Sequence, residues 1–332
     1  MPSAIGSRYT PSSIIDSVTP FLSHLKARPC VTKQNKMAAT SYEDIVVTGL
    51  NIFPIKACKG CKLDSITLDK YGVIGDRRMM LVDANSRFIT QRRYPQLATI
   101  SPQWINPETI MVTAPGMSQS LTHQIIKDGP LTETTVWNDT VLTVDQGDIA
   151  SEWFSTALGL QYIRLVYSPV GERPEYTRPL SMYYPQSLRE KLPLQEVDLA
   201  DAAPVTIVSN ESLVDLNARM AAHTGGHTVT LDRFRMNIEL TGASRPYQED
   251  EWLLITVGEA PILLYSENHR CKVPSVNQET GVPDKVGPLD ILRQYRAPGG
   301  PDKALFGMFG LVLQAGRTVN LGDKINVLEL RK

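Results

Sequence analysis

Cysteine is scarce in this chain. Cys30, Cys58, Cys61 and Cys271 are the four in 332 residues, too few for a disulfide-stapled scaffold, so the chain reads as an intracellular protein with reduced thiols. Cys58 and Cys61 form a CxxC, but no second CxxC follows and no paired histidine lies near, which argues against a structural zinc. Net charge is nearly absent too. The formal balance is -1, which gives no reason to expect nucleic acid or an anionic membrane as partner, so any anion site must be local. No run of about 18 uninterrupted apolar residues occurs, so no transmembrane helix is expected. There is no P-loop and no G-x-G-x-x-G, and no Ser-His-Asp or Cys-His spacing stands out.

What is present fits a two-domain globular protein with a real core: 42% hydrophobic and 21% charged residues over a length too great for one ordinary domain. The first forty residues differ from the rest. They carry Arg8, Lys26, Arg28, Lys33 and Lys36 against the single acid Asp16, and Ile14, Ile15, Val18, Phe21, Leu22 and Leu25 fit one helical face. Such a leader resembles an organelle transit peptide. A polar tail ahead of a chain starting at Met37 fits the same composition, so mitochondrial and cytoplasmic locations both stay open.

Short strand-like runs begin near Asp44: Val46 to Phe53, Leu63 to Leu68, Arg78 to Val82, Arg87 to Gln91, Thr109 to Thr113, Thr135 to Trp137 and Thr140 to Val144. A helix is expected from an Asp148 N-cap to a Gly159 C-cap, followed by a strand from Tyr162 to Val166. Residues 168–199 are rich in proline and tyrosine and read as a connection. Ser209 is expected to cap a second helix, and Pro288 to open a third. Strands are expected at Arg235 to Leu240, Leu253 to Val257 and Pro261 to Tyr265, with a closing hairpin around Gly322-Asp323. The fold class is a β-rich α+β protein with few helices. Its parts are a leader 1–43, a domain 44–167, a connection 168–199 and a domain 200–332.

Several residues could carry chemistry. Cys271 stands just after an expected strand, and the neighbouring Arg270 favours its thiolate, a suitable ligand for a soft transition metal. A lone cysteine is more often buried and inert. Lys56 and Lys59 lie in a basic turn after a strand, where backbone N–H groups and ammonium groups suit a phosphate. Arg77, in Gly75-Asp76-Arg77-Arg78, could grip a phosphate bidentately or pair with Asp76. Arg235 and Asn237 are two apart and would share one face of an extended segment, free for a ring or a phosphate, or exposed as a sheet edge. His269, two before Cys271, is a possible proton donor, although a lone histidine is more often a packing or surface residue.

In their order these stretches resemble a known family. Lys56-x-Cys58-Lys59-Gly60, Gly75-Asp76-Arg77-Arg78 and Arg87-Phe88-Ile89-Thr90-Gln91-Arg92 with Pro95 resemble the N-terminal β-barrel domain that precedes MOSC domains. Phe234-Arg235-Met236-Asn237-Ile238, Arg270-Cys271, Val276-Asn277-Gln278-Glu279-Thr280-Gly281, Pro288-Leu289-x-x-Leu292-x-x-Tyr295-Arg296, Phe306-Gly307 and Val319-x-x-Gly322-Asp323 resemble the MOSC domain itself. The resemblance spans about Asp44 to Leu330 and points to the amidoxime-reducing component proteins. It implies an N-terminal β-barrel-like domain and a C-terminal MOSC β-barrel with a molybdenum–molybdopterin cofactor between them. Cys271 would ligate the metal. Lys56 and Arg77 would contact the pterin phosphate, Arg235 and Asn237 would contact the pterin from the other domain, and Arg270 would adjoin the thiolate. The implied activity is reduction of N-hydroxylated compounds, with electrons from a separate donor such as cytochrome b5 and its reductase. The other implied role is a cofactor carrier or sulfur-delivery module. The sulfurase context also brings in pyridoxal phosphate binding, but the chain shows no pyridoxal-phosphate domain, which argues against the full sulfurase. Three positions depart from the family pattern: Ala57 where a serine is usual, His269 where close relatives carry a small hydroxyl residue, and Asn277 where the pattern has an aspartate.

Overall fold

In the computed structural model, residues 44–169, 178–179, 196–300 and 303–331 are described. The leader 1–43, Cys30, and most of the 168–199 connection lie outside them.

The largest sheet has eight strands, in the order Cys61–Lys62, Val46–Ile52, Ile238–Thr241, Val205–Ser209, Leu305–Val312, Ala260–His269, Trp252–Val257 and Ile325–Leu330. Neighbours run antiparallel, except that Val205–Ser209 and Ile238–Thr241 are parallel. A parallel pair needs a crossover, and the helix Asn210–Thr224 is part of it. Val47 N donates to the Asp323 carbonyl and Ile325 N to the Ile45 carbonyl, both at 2.9 Å. These bonds join the last strand to the Val46–Ile52 strand and close the sheet into a barrel. Its interior is filled by alternate residues such as Leu50, Ile207, Ile238, Leu240, Ile255, Ile262 and Met308.

The N-terminal half is built from a four-stranded sheet, Met79–Val82, Arg164–Tyr167, Asp139–Asp145 and Leu131–Val136, and a three-stranded one, Ser101–Asn106, Thr109–Thr113 and Leu121–Gln124. The helix Asp148–Leu158 buries Ala150, Phe154 and Leu158, spaced four apart, against this second core. Gly159 ends it in the left-handed conformation, as glycine does at helix ends. The N-cap is Gly147 rather than Asp148, which is the first helical residue. Ser209 caps its helix as expected, its hydroxyl accepting from Ser212 N at 3.3 Å.

Three strand expectations need correction. Arg87 to Gln91 forms only isolated bridges, Val82 to Phe88 and Arg87 to Thr135, because the chain turns away toward the cleft. The strand expected from Arg235 starts only at Ile238. Arg235 caps the short turn Leu231–Phe234 at φ 57°, so Arg235 and Asn237 do not share the face of an extended segment. The closing strands turn at Gly322-Asp323 but do not pair with each other. Arg317–Asn320 pairs with Ser65–Asp69, and Ile325–Leu330 with Trp252–Val257, because each finds a more buried neighbour.

Candidate functional site

A cavity of about 300 Å³ opens between the two halves. Lys56, Ala57, Arg77, Arg92 and Trp137 reach it from the N-terminal half, and Arg235, His269, Arg270 and Cys271 from the barrel. The chain therefore gathers its scattered basic groups and its one cleft cysteine at strand ends, where backbone turns leave room for a ligand.

Strand and turn geometry aims each of them. Lys56 N donates to the Met79 carbonyl at 2.7 Å, and Arg77 N to the Phe53 carbonyl at 2.8 Å. These bonds hold the basic turn against the strand that follows Arg77. The Phe53 ring lies between two guanidinium groups, 4.5 Å from Arg77 and 4.2 Å from Arg235. Stacking on an aromatic face leaves guanidinium N–H edges available. Arg77 pairs with the buried Asp76 and donates through Nη2 to the Arg235 carbonyl at 3.0 Å. Arg235 donates through Nη1 to the Cys58 carbonyl, and Arg270 through Nη2 to the Phe234 carbonyl at 2.8 Å. Lys56 is buried and tied to the opposite wall. Its ammonium donates to the Leu199 carbonyl at 2.7 Å and pairs with Asp201, which also accepts from Trp137 Nε1 at 2.9 Å.

The electrostatics are one-sided. Burial pushes the Arg235 guanidinium down to about 9, and the charge of Arg77 adds to the shift. Burial likewise pushes Arg270 down to about 10, against the pull of Cys271 and Asp201. The Asp201 carboxylate loses some hydration, but the Lys56 ammonium outweighs that and holds it well below the usual range. Two buried nitrogens, Arg235 Nη2 and Arg270 Nε, have no hydrogen-bond partner among the described residues. Buried donors of this kind are costly unless something accepts from them, so the arrangement suits an anion.

Of the residues singled out from sequence, Lys56, Arg77, Arg235, Arg270 and Cys271 line the cavity together. Asn237 does not. It is buried behind them, its amide oxygen accepting from Thr206 Oγ1 at 3.0 Å and facing Arg77 Nη1 at 3.5 Å. The CxxC is neither bridged nor primed for redox. Burial raises Cys58 to about 12 and Cys61 to about 11, and both thiols are free. Its contribution to the site is the Cys58 carbonyl. Sequence reasoning missed Asp201, Arg92, Trp137 and the supporting ring of Phe53. Trp137 was expected to end a strand, Thr135 to Trp137, but the strand stops at Val136 and Trp137 opens the turn at φ 56°.

Cys271 is half-buried two residues past the end of the strand Ala260–His269. Among the described residues no group of three His, Cys, Asp or Glu side chains could hold a metal ion by itself. A metal here would take one thiolate from the chain and its other ligands from whatever carried it. No helix of the described residues is long and apolar enough to cross a membrane.

This architecture agrees with the comparisons with known proteins. The family model of the MOSC N-terminal beta barrel domain matches residues 45–161, and that of the MOSC domain matches 195–326. The chain belongs to the MOSC family, in the arrangement that carries an N-terminal MOSC β-barrel domain. Within that family it is similar to the mitochondrial amidoxime reducing components. It is 30% identical to mitochondrial amidoxime reducing component 2 of Bos taurus over 290 residues, 84% of this chain and 82% of that protein. It is 29% identical to mitochondrial amidoxime-reducing component 1 of Mus musculus over 293 residues, 85% and 82% of the two chains. It is also 26% identical to molybdenum cofactor sulfurase of Oryza sativa subsp. japonica over 284 residues, 80% of this chain but 32% of that longer protein.

Proposed function

We propose that this chain is a molybdenum cofactor-dependent reductase of N-hydroxylated compounds, of the amidoxime-reducing type. The observation that carries the reading is the cleft itself. It brings one accessible thiol beside a set of cations and leaves two buried guanidinium nitrogens without a partner among the described residues. A phosphate-bearing pterin would satisfy those nitrogens and supply the metal ligands that the chain lacks.

In this proposal Cys271 provides the protein ligand to molybdenum. Arg235 and Arg270 accept the cofactor's negative charge, Arg77 aligns Arg235 through its carbonyl, and Lys56 sits on the opposite side. Asn237 acts through Arg77 rather than by direct contact. When bound, the cofactor supplies the oxygen-accepting centre and the two-electron chemistry. The chain holds it in a cleft walled by Phe88, Phe234 and Phe309, which limits water. In this reading His269, exposed and lining the cavity, delivers a proton to the leaving oxygen. Overall, an amidoxime takes two electrons and two protons and releases an amidine and water. The electrons come from a separate donor, for which cytochrome b5 and its reductase are the candidates. The mitochondrial names of the relatives make a mitochondrial location the proposed one.

The test uses the full chain from a cofactor-competent host. Molybdenum and pterin per chain are measured, and benzamidoxime reduction is assayed with reconstituted cytochrome b5 and its reductase. The expected result is close to one molybdenum per chain and turnover that Cys271→Ala abolishes. Bound metal without turnover would instead favour the cofactor carrier, a role consistent with the similarity to the sulfurase. Turnover surviving in Cys271→Ala removes the ligand assignment. No metal in either form sinks both roles.

A further inference from the structure

The mouth of the cleft holds a second group of residues that cofactor binding does not use. Trp137 occupies the first position of a two-residue hairpin loop between Leu131–Val136 and Asp139–Asp145, where Val136 pairs with Asp139. Its φ is 56°. Such positions are ordinarily filled by glycine, asparagine or aspartate, because a side chain with a Cβ is strained there. A bulky aromatic residue persists only if its surroundings hold it, and strain of this kind gathers at ligand sites.

The surroundings do hold it. Trp137 Nε1 donates to Asp201, and the ring meets Phe88 edge-on at 4.8 Å. The Arg92 guanidinium lies 4.4 Å over the indole. Trp137 nevertheless stays 36% exposed, and it faces the cavity. Arg92 is exposed, also faces the cavity, and has no carboxylate partner among the described residues. Lys56 and Arg77 are matched by Asp201 and Asp76, whereas Arg92 is left unmatched at the entrance. Its guanidinium edges can therefore accept a carboxylate bidentately while its face stays on the ring.

Resting on the reductase reading above, we propose that Trp137 and Arg92 form a substrate clamp that selects planar, aromatic N-hydroxylated compounds bearing an anionic group. The aromatic body stacks at the Trp137–Phe88 wall. The anion meets Arg92, and the N-hydroxyl end points inward toward Cys271.

The test compares 4-carboxybenzamidoxime with benzamidoxime on the cofactor-loaded chain. The wild type is expected to favour the carboxylate in kcat/KM. Arg92→Gln is expected to lower that preference at least fivefold, mainly through KM, and Arg92→Lys to restore part of it. A preference unchanged within twofold in Arg92→Gln overturns the inference. So does loss of molybdenum and pterin from that variant, which would make Arg92 a cofactor contact. If the loaded chain reduces neither compound, calorimetric titration of 4-carboxybenzamidoxime decides. Binding weakened at least fivefold by Arg92→Gln upholds the clamp while the reductase reading falls. Absent binding, or binding equal in both proteins, overturns the clamp.

Discussion

Two arginines at the cleft carry a cost that only a ligand relieves. The folded pKa of Arg235, about 9, lies below its ordinary 12.5, as does that of Arg270 at about 10. For a base, this means that folding disfavours the charged form. The penalty is fully present below the folded value and fades only as pH rises toward 12.5, so it acts undiminished at pH 7. Replacing a buried ion pair by apolar side chains of similar volume is often neutral or stabilising, by roughly 1–4 kcal/mol, and a buried charge with no carboxylate bonded to it should behave likewise. Arg235→Met should therefore leave the cofactor-free chain as stable as the wild type or more so, while sharply reducing the cofactor it retains. Urea midpoints of the cofactor-free proteins, set beside molybdenum content after purification, check this. A variant that is destabilised by several kcal/mol yet retains full molybdenum would show that the charge serves the fold rather than the ligand.

At the scale of elements, the turns that build the cleft are strained. Seven non-glycine residues among those described have positive φ, and four of them, Ala57, Arg77, Trp137 and Arg235, line the cavity. A left-handed residue with a Cβ costs roughly 1–2 kcal/mol. Ala57→Gly, at φ 67°, should therefore stabilise the chain by about 1 kcal/mol in urea unfolding, and a loss of that size would refute the assignment of strain. A different device lies outside the cavity lining. Asp198 is buried with its Oδ2 2.9 Å from Arg78 Nε, and burial raises its carboxyl to about 6 against the opposing charge of Arg78. A folded pKa above the unfolded one, about 3.9, means that the native state holds this proton more tightly. The stability so gained is present at low pH and lost as pH rises through about 6. Asp198→Asn should remove on the order of 2 kcal/mol of that decline between pH 4.5 and 7. An unchanged pH slope in the variant would mean that Asp198 does not titrate there.

These same elements mark how far the sequence was readable. Helix ends at Ser209, Gly159 and Pro288 were legible, because these residues act through local chemistry that needs no tertiary partner, whereas the expected Asp148 cap was one residue late. Lys56, Arg77, Arg235, Arg270 and Cys271 were legible as candidates because each stands in a recognisable run beside a strand end. The geometry around them was not. Arg235 leaves the extended conformation because the Leu231–Phe234 turn caps against it, and that turn is shaped by the apolar cluster around Phe234 and Phe306, to which the helices Asn210–Thr224 and Pro288–Tyr295 contribute. Asp201 and Trp137 meet over a separation of 64 residues that no local periodicity encodes. Arg92 acquires its position from the turn that replaced the expected Arg87 to Gln91 strand.

For the molecule as a whole, the two halves in sequence are interlocked in space. Val46–Ile52 belongs to the N-terminal half by position, yet it lies inside the barrel sheet, paired with Ile238–Thr241. Conversely, Arg317–Asn320 from the far end pairs with Ser65–Asp69. Leu50 and Ile52 fill the barrel core beside Ile238, Leu240 and Ile325, and burying each such side chain is worth about 1.5–3 kcal/mol. A fragment of residues 196–332 would lack its closing strand and expose the edge of Ile238–Thr241, and a fragment of 44–167 would carry an apolar strand with no sheet to join. Contacts that cross the halves this often should make unfolding one event rather than two. Calorimetry of the full chain is expected to give a single transition, and the 196–332 fragment alone should show no cooperative melt. Adding residues 44–167 in trans should restore one, because the missing strand can re-enter the sheet. A cooperative transition in the isolated fragment would overturn this view. It would also mean that the cleft lies between two independently stable bodies, with Lys56 and Arg77 positioned by docking rather than by the continuous chain that runs from the barrel strand through Phe53 to the site.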